Sequence, residues 1–426
     1  MFQTFRNAWK IEELRKKILF TLFVLLLYRL GNAVPVPYVD TTMLAQYFTS
    51  VQNTVLGLYN TMSGGAFSSA TIFALSIQPY INASIIIQLL TIAIPALERM
   101  AKEEGEEGKK KIASITRYST VAIGLLQGFA YYILVRNNSL LTADGSTIWA
   151  AIVIIMTFTA GSALLMWLGE QITEFGIGNG ISIILFASII SRFPTSLYQM
   201  IANTTGGLLQ WYVLALMLLG ALAIVVLVVI VQNAERRIPV QYSKRVVGRK
   251  LYGGQSTHLP MKVNMSGVLP VIFAQSIASL PATFFALFGG GEGFLKVFDT
   301  DKPLYAIFYL LLIIFFSYFY STVQFNPVEI ANNLRKNGGF IPGYRPGKPT
   351  SEFIQKVLNK ITLFGAVYLG IIAVAPIIIS MFSESAKNSG ISLGGTSVII
   401  VVGVALETVK ALENQMLMRH YKGFLE

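Results

Sequence analysis

"GGAFSSATIFALSIQPYINASIIIQLLTIAIP", running from Gly64 to Pro95, is apolar enough to enter a membrane and too long to cross it once. A hydrocarbon core of roughly 30 Å needs about 20 helical residues. The stretch opens with Gly64 and Gly65, carries Ser68, Ser69 and Thr71, and has a proline at position 79. Backbone that is neither helical nor fully spanning is tolerated at membrane depth only where it lines a cavity or is buried in protein. Gly64 to Ala74 has the length for about three helical turns and is expected as a re-entrant half-helix. Pro79 then allows a fresh helix from about Ser76 onwards, because proline is tolerated in a first turn. The residues leave two readings open: a loop that only packs, or a movable stopper inside a pore. Ile81 and Ile85, four apart, share one face of the second helix, where isoleucines normally face lipid or a packing partner.

The rest of the chain has the same character. Of 426 residues, 54% are hydrophobic and 13% charged, against about 25% charged in an ordinary soluble domain. Stretches such as "WYVLALMLLGALAIVVLVVIVQ" (211–232) hold no charge at all. The composition indicates an all-α polytopic membrane protein with ten spans, at about 18–36, 75–95, 117–136, 147–171, 181–201, 211–232, 266–288, 303–324, 361–381 and 394–413. Most of the 33 Lys and Arg residues then fall on one side, in the two tails and in the 96–117, 233–265 and 325–360 segments. The positive-inside rule makes that side cytoplasmic and places both termini there. "RNAWKIEELRKK" resembles the start of a signal peptide but lacks a small-residue cleavage site downstream, so it reads as the lead-in to a retained first helix.

Two basic segments are too long to be simple connectors. Residues 233–262 mix β-branched residues, Tyr and Gly as a protruding hairpin would, and 326–356 are rich in Gly and Pro. Exposed Arg and Lys interleaved with Tyr suit an acidic protein or ribosomal RNA. "KEEGEEGKKK" (102–111) is a solvated charge cluster.

Several motifs fail on inspection. "GYRPGKPT" (343–350) has its glycines too close for a phosphate-binding loop, and Pro349 stands where Ser or Thr must hold the metal. "GIGNG" (176–180) has the wrong spacing for a dinucleotide turn and reads as a tight turn between the fourth and fifth spans. With no cysteine and only His258 and His420, no metal and no cofactor are expected. No paired carboxylates or activated nucleophile mark an enzyme. A coupled solute transporter built on inverted repeats is the alternative, but it calls for an ionisable group near the midplane, where this chain puts aliphatics.

Five long stretches resemble the SecY family, the central channel subunit of bacterial protein translocation. They are the opening stretch, "EFGIGNGISII", "ERRIPVQYSKR" with "YGGQSTHLPMKVN", "NPVEIANNLRKNGGFIPGYRPG" and "GGTSVIIVVGVALETVKALENQMLMRHYKGF". The loop spellings favour a Gram-positive, Bacillus-like version. The resemblance implies two pseudo-symmetric inverted halves of five helices (1–202 and 203–426) around an hourglass pore. It implies an aliphatic ring at the waist from Ile81, Ile85, Ile181, Leu185, Ile272 and Ile400, with Leu185 standing where isoleucine is more usual. It further implies a plug over about 64–74, carried by Gly64, Gly65, Phe67, Ser68, Ser69, Thr71 and Ile72, and a lateral gate with Gln88, Gln127 and Gln275 on its helices. In the large loops, Arg236, Arg237, Lys244, Arg245, Arg249, Lys250 and Arg345 are the implied contacts for a SecA ATPase or the ribosome and its RNA. SecE and SecG subunits, signal sequences, nascent polypeptides and membrane lipids complete the implied partners. The implied activity is passage of unfolded secretory chains and sideways release of membrane helices, in a bacterial plasma membrane.

Overall fold

The computed structural model describes residues 2–50, 55–206, 210–242, 245–247, 250–252, 256–288, 302–382 and 394–422. The charged, amphipathic N-terminus forms α1 (Phe2–Lys10) and leads into α2 (Glu12–Gly31). Two short helices follow, α3 (Thr41–Ser50) and α4 (Val55–Met62), then α5 (Gln78–Ala93) and α6 (Pro95–Lys102). Next come α7 (Gly105–Asn137), α8 (Ile148–Phe175) and α9 (Gly180–Thr205). Beyond it lie α10 (Trp211–Asn233), α11 (Leu269–Phe288), α12 (Pro303–Gln324), α13 (Pro327–Lys336), α14 (Lys348–Phe382) and α15 (Gly394–Lys422).

Ten long helices among the described residues (α2, α5, α7 to α12, α14 and α15) answer the ten expected spans. Among the described residues seven pass a test of length and apolarity on their own, and α5 with α6 makes an eighth, bent by 105°. Pro95 starts the second member of that pair, so the ladder of backbone bonds breaks at Ile94. Charge sets α2 apart: Arg15, Lys16, Lys17 and Arg29 occupy its ends. The turn at 176–180 forms as expected. Gly178 adopts φ +67°, and the Asn179 side chain accepts bonds from the Ile181 and Ser182 amides to cap α9.

The expected hairpin is present. β1 (Glu235–Tyr242) pairs antiparallel with β4 (Ser256–Lys262), from Glu235 opposite Lys262 to Gln241 opposite Ser256. Between them β2 (Arg245–Val247) and β3 (Lys250–Tyr252) form a smaller ribbon, and β5 (Gly339–Phe340) adds to the free edge of β1. Ile238 and Val240 alternate with exposed neighbours, as one buried sheet face requires. They pack with Met261, Ile341, Ile354, Val357 and Leu358, so the sheet is seated on the start of α14.

One expectation is corrected. Residues 64–74 are not a half-helix but part of a run of turns from Ser63 to Ile77, with the helical turns lying upstream in α4. The cause is competition for the backbone. The Ala70 carbonyl accepts from the Val36 amide at 2.8 Å, the Ile72 amide donates to Val34 O at 3.0 Å, and the Phe67 carbonyl accepts from Tyr131 Oη at 2.7 Å. Groups that would have bonded along a helix are taken by the connector after α2 and by α7. Ala70 and Ser76 adopt φ of 43° and 52°, which an L-residue holds only when its surroundings impose it. Downstream, Pro79 sits in the first turn of α5, which begins at Gln78.

The segment is clasped closely. A Cβ on Gly161 of α8 would fall 2.0 Å from the Ile72 carbonyl oxygen, whereas one on Gly220 of α10 would meet nothing within 4 Å. Gly161→Val is therefore expected to destabilise the protein by about 1–3 kcal/mol, the usual cost of overpacking. Thermal unfolding in detergent checks this, with Gly220→Val as the variant that should not move.

Candidate functional site

Aliphatic side chains from four helices join one buried apolar cluster. Ile81 and Ile85 come from α5, Leu185 from α9, Ile272 from α11 and Ile400 from α15, and all are buried in one apolar cluster. Ile181, half-buried, packs against the same cluster. Residues spread from 81 to 400 along the chain are therefore brought together. Ile77, which the sequence reading passes over, is 0% exposed in this cluster, one turn ahead of Ile81. Ile77 and Ile181 both come within 3.5 Å of the position that a Cβ would take on Gly169. The signal was present in the sequence: position 77 precedes Ile81 by the same four-residue step that separates Ile81 from Ile85.

The 63–77 turns lie against this cluster on one side and against a second, more aromatic one on the other. Phe73 and Ile77 belong to the first, while Phe67, Ala70, Ala74 and Leu75 belong to the second, with Phe48, Tyr131 and Phe158. Phe67 is boxed by rings: Tyr131 edge-on at 4.7 Å, Phe48 edge-on at 5.4 Å and Tyr59 stacked at 6.0 Å between centroids. Such pairs add to simple area burial. Thr71 is buried, Ile72 and Ser68 are half-buried and Ser69 is exposed. The Ser68 amide donates to Asn60 Oδ1 at 3.0 Å, which ties the turns back to α4. Gly64 and Gly65, with φ of 68° and 92°, let the chain lie flush on α9, where a Cβ on Gly64 would approach the Ser188 carbonyl to 2.8 Å.

Where α5 and α7 face α11 and α12, the polar contacts differ from those expected. Gln88 of α5 accepts a short hydrogen bond from Tyr320 Oη of α12. Gln127 is half-buried on α7 and makes no hydrogen bond among the described residues. Gln275 is buried on α11 with its Oε1 unpartnered. Ser276 Oγ of α11 also donates across to Gln78 Oε1 of α5, at 3.4 Å, and Ser279 of α11 bonds with Tyr59 of the neighbouring α4, at 3.2 Å. Gln78 also donates to Met62 Sδ at 3.0 Å. Among the described residues the seam thus holds one short bond, Tyr320 to Gln88, and a long one, Ser276 to Gln78.

Away from the bundle centre, Arg236 and Arg237 are exposed on β1, the latter paired with Glu235 at 2.7 Å. Arg345 is exposed in the turn before α14, and its carbonyl accepts from Thr350 Oγ1 at 2.7 Å. Beside it, Tyr344 stacks on Phe353 with centroids 4.1 Å apart. Arg245 and Lys250 lie in β2 and β3, while Lys244 and Arg249 fall outside the described residues. Among the described residues no cluster of His, Asp and Glu has the makings of a metal site.

Comparison with known proteins follows the same lines. The SecY family profile matches residues 71–409. Protein translocase subunit SecY of Streptomyces scabiei is 44% identical over 442 residues, covering 100% of both chains. The SecY subunit of Thermotoga maritima is 43% identical over 435 residues, covering 100% of this chain and 98% of the relative. Among solved structures, one described as a protein conducting channel superposes with a TM-score of 0.68 at 18% identity, over 94% of this chain and 92% of its own. Sec61 in the canine ribosome-channel complex from the endoplasmic reticulum gives 0.64 at 17% identity, with the same coverage. These two structures speak for the fold.

The seam can be weighed directly. A double-mutant cycle of Gln78→Leu and Ser276→Ala, read by unfolding in detergent, is expected to give a coupling of about 0.5–1 kcal/mol, as for one long neutral hydrogen bond. A coupling of zero would remove that bond from the account.

Proposed function

Because the chain belongs to the SecY family, we propose that it acts as the channel subunit of a protein translocase. It passes unfolded secretory polypeptides across the membrane and releases membrane-protein helices sideways. The observation that carries this reading is the aliphatic cluster at the meeting point of α5, α9, α11 and α15. A ring of branched aliphatic side chains expels water when closed and so stops ions, yet it offers no hydrogen bonds that would hold a passing chain. Branched side chains from four separate helices also move apart independently, as a passage of variable width needs.

The remaining roles follow from position. Residues 64–72 act as the plug beneath the ring, removable because they are joined to the bundle by turns rather than by a helix. The sparse seam between α5 and α7 on one side and α11 and α12 on the other is the lateral gate, with Gln88 and Tyr320 among its fasteners. Arg236, Arg237 and Arg345, exposed on the sheet and in the turn after it, form the docking face for a SecA-like motor or for ribosomal RNA. Arginine suits both, since its planar fork pairs with carboxylates and phosphates. SecE-like and SecG-like subunits accompany the channel, and signal sequences and lipids meet at the gate. The protein resides in a bacterial plasma membrane with both termini cytoplasmic, the side that the distribution of Lys and Arg favours. The halves 1–202 and 203–426 are the two jaws. A coupled solute transporter is not favoured, since its substrate site calls for polar groups where these aliphatics stand.

Three variants test the reading. Ile85→Asn or Ile400→Asn is expected to raise ion flux through resting channels in proteoliposomes and to let chains with defective signal sequences through; unchanged conductance counts against the ring. Arg345→Glu is expected to reduce motor-driven export sharply while leaving thermal unfolding in detergent unaltered. Normal export by that variant would remove Arg345 from the docking face.

A further inference from the structure

Three buried groups meet where the plug begins. Tyr28 of α2 is 1% exposed, and its ring stacks on Phe73 with centroids 5.9 Å apart and planes inclined by 16°. Its Oη lies 2.6 Å from Ser188 Oγ of α9 and 3.4 Å from the carbonyl oxygen of Ser63, the first residue of the plug turns. Ser188 is 0% exposed, and its Oγ also lies 2.8 Å from the Ile184 carbonyl within α9. Each hydroxyl has one hydrogen to give. Two hydrogens therefore serve three contacts, and only two arrangements satisfy both donors while keeping a hydrogen in the 2.6 Å contact between the hydroxyls. In one, Ser188 donates to Tyr28 and Tyr28 donates to the Ser63 carbonyl. In the other, Ser188 turns to Ile184 and Tyr28 donates to Ser188, which leaves Ser63 free.

We propose that the Tyr28–Ser188 hydroxyl pair is a two-position latch that holds the plug by the Ser63 carbonyl in one hydrogen arrangement and lets it go in the other. The inference rests on the reading of 64–72 as a plug. Its physical merit lies in what departure leaves behind. A single hydroxyl bonded only to the plug would be stranded in an apolar bundle each time the plug left, adding a desolvation cost to every opening. Here both hydroxyls stay satisfied after release, because Ser188 has a second acceptor in its own helix. The latch also sits where the plug lies close on α9, since it is the Ser188 carbonyl that excludes a Cβ at Gly64.

The two hydroxyls make opposite predictions, which a purely structural role does not. Tyr28→Phe keeps the stacked ring and removes the donor to Ser63, so the plug loosens. Ser188→Ala removes the nearest competing acceptor, so the Tyr28 hydrogen shifts towards Ser63 and the plug is held more tightly; the same substitution with Asn32→Leu removes the remaining side-chain acceptor beside Tyr28 and should act in the same direction. In full-length channels purified with their bound subunits and reconstituted in proteoliposomes, halide flux is measured without a secretory chain and after adding a signal peptide. Tyr28→Phe is expected to raise resting flux about 5-fold, the factor that corresponds to one net hydrogen bond. Ser188→Ala is expected to slow peptide-triggered opening by about the same factor. A channel lacking residues 64–72 serves as the reference. If it conducts freely while the two variants shift the same way or not at all, the latch is wrong and the plug stands. If it stays closed, the plug reading fails and the latch with it.

Discussion

The structure depends on one constraint: inside a membrane every backbone N–H and C=O must find a partner within the protein. Helices meet it alone, and ten long helices make up most of this chain. The turns from Ser63 to Ile77 cannot, and everything around them supplies what they lack. Val34 and Val36 from the connector, Tyr131 from α7 and Asn60 from α4 take up their amides and carbonyls. The segment is held by groups that belong to its surroundings. That is why it is held in place without forming a helix.

The same logic distinguishes the waist from the seam beside it. The aliphatic cluster owes its cohesion to exclusion of water and to close packing, which have no direction and re-form when side chains repack. The seam of α5 with α11 and α12 is fastened by directional hydrogen bonds, Ser276 to Gln78 and Tyr320 to Gln88, which are lost at once when the helices part. A passage that opens in two directions needs both kinds of contact. Across the pore it needs a seal that stretches, and along the side it needs fastenings that release. The sheet is seated on the start of α14 through Ile238, Val240 and Leu358, so packed side chains join it to a long apolar helix.

Much of this was legible in the letters, for identifiable reasons. Spans were readable because the membrane imposes length and apolarity together, and the hairpin because Ile238 and Val240 alternate with polar neighbours. The turn at 176–180 was readable from its glycines and from Asn179 ahead of an apolar run. The expected half-helix at 64–74 did not form because its competitors are distant in sequence. Nothing near Phe67 announces that Tyr131 will claim its carbonyl. Gate fasteners were equally hidden: glutamines stood out as polar residues in apolar helices, but Tyr320 and Ser276 acquire meaning only once α5 faces α11 and α12. Grouping of the waist residues came from family resemblance, since isoleucines 81 and 400 carry no mark of their future contact.

The central claim is that polypeptides pass through the aliphatic waist. A photo-reactive amino acid placed at Ile272, on an otherwise intact channel carrying an arrested secretory chain, tests it most directly. The same probe at Leu222, 61% exposed on the outer face of α10, provides the contrast. Efficient cross-linking of the chain at Ile272 and none at Leu222 is the predicted result. An arrested chain that reacts at Leu222 but never at Ile272 would contradict the account.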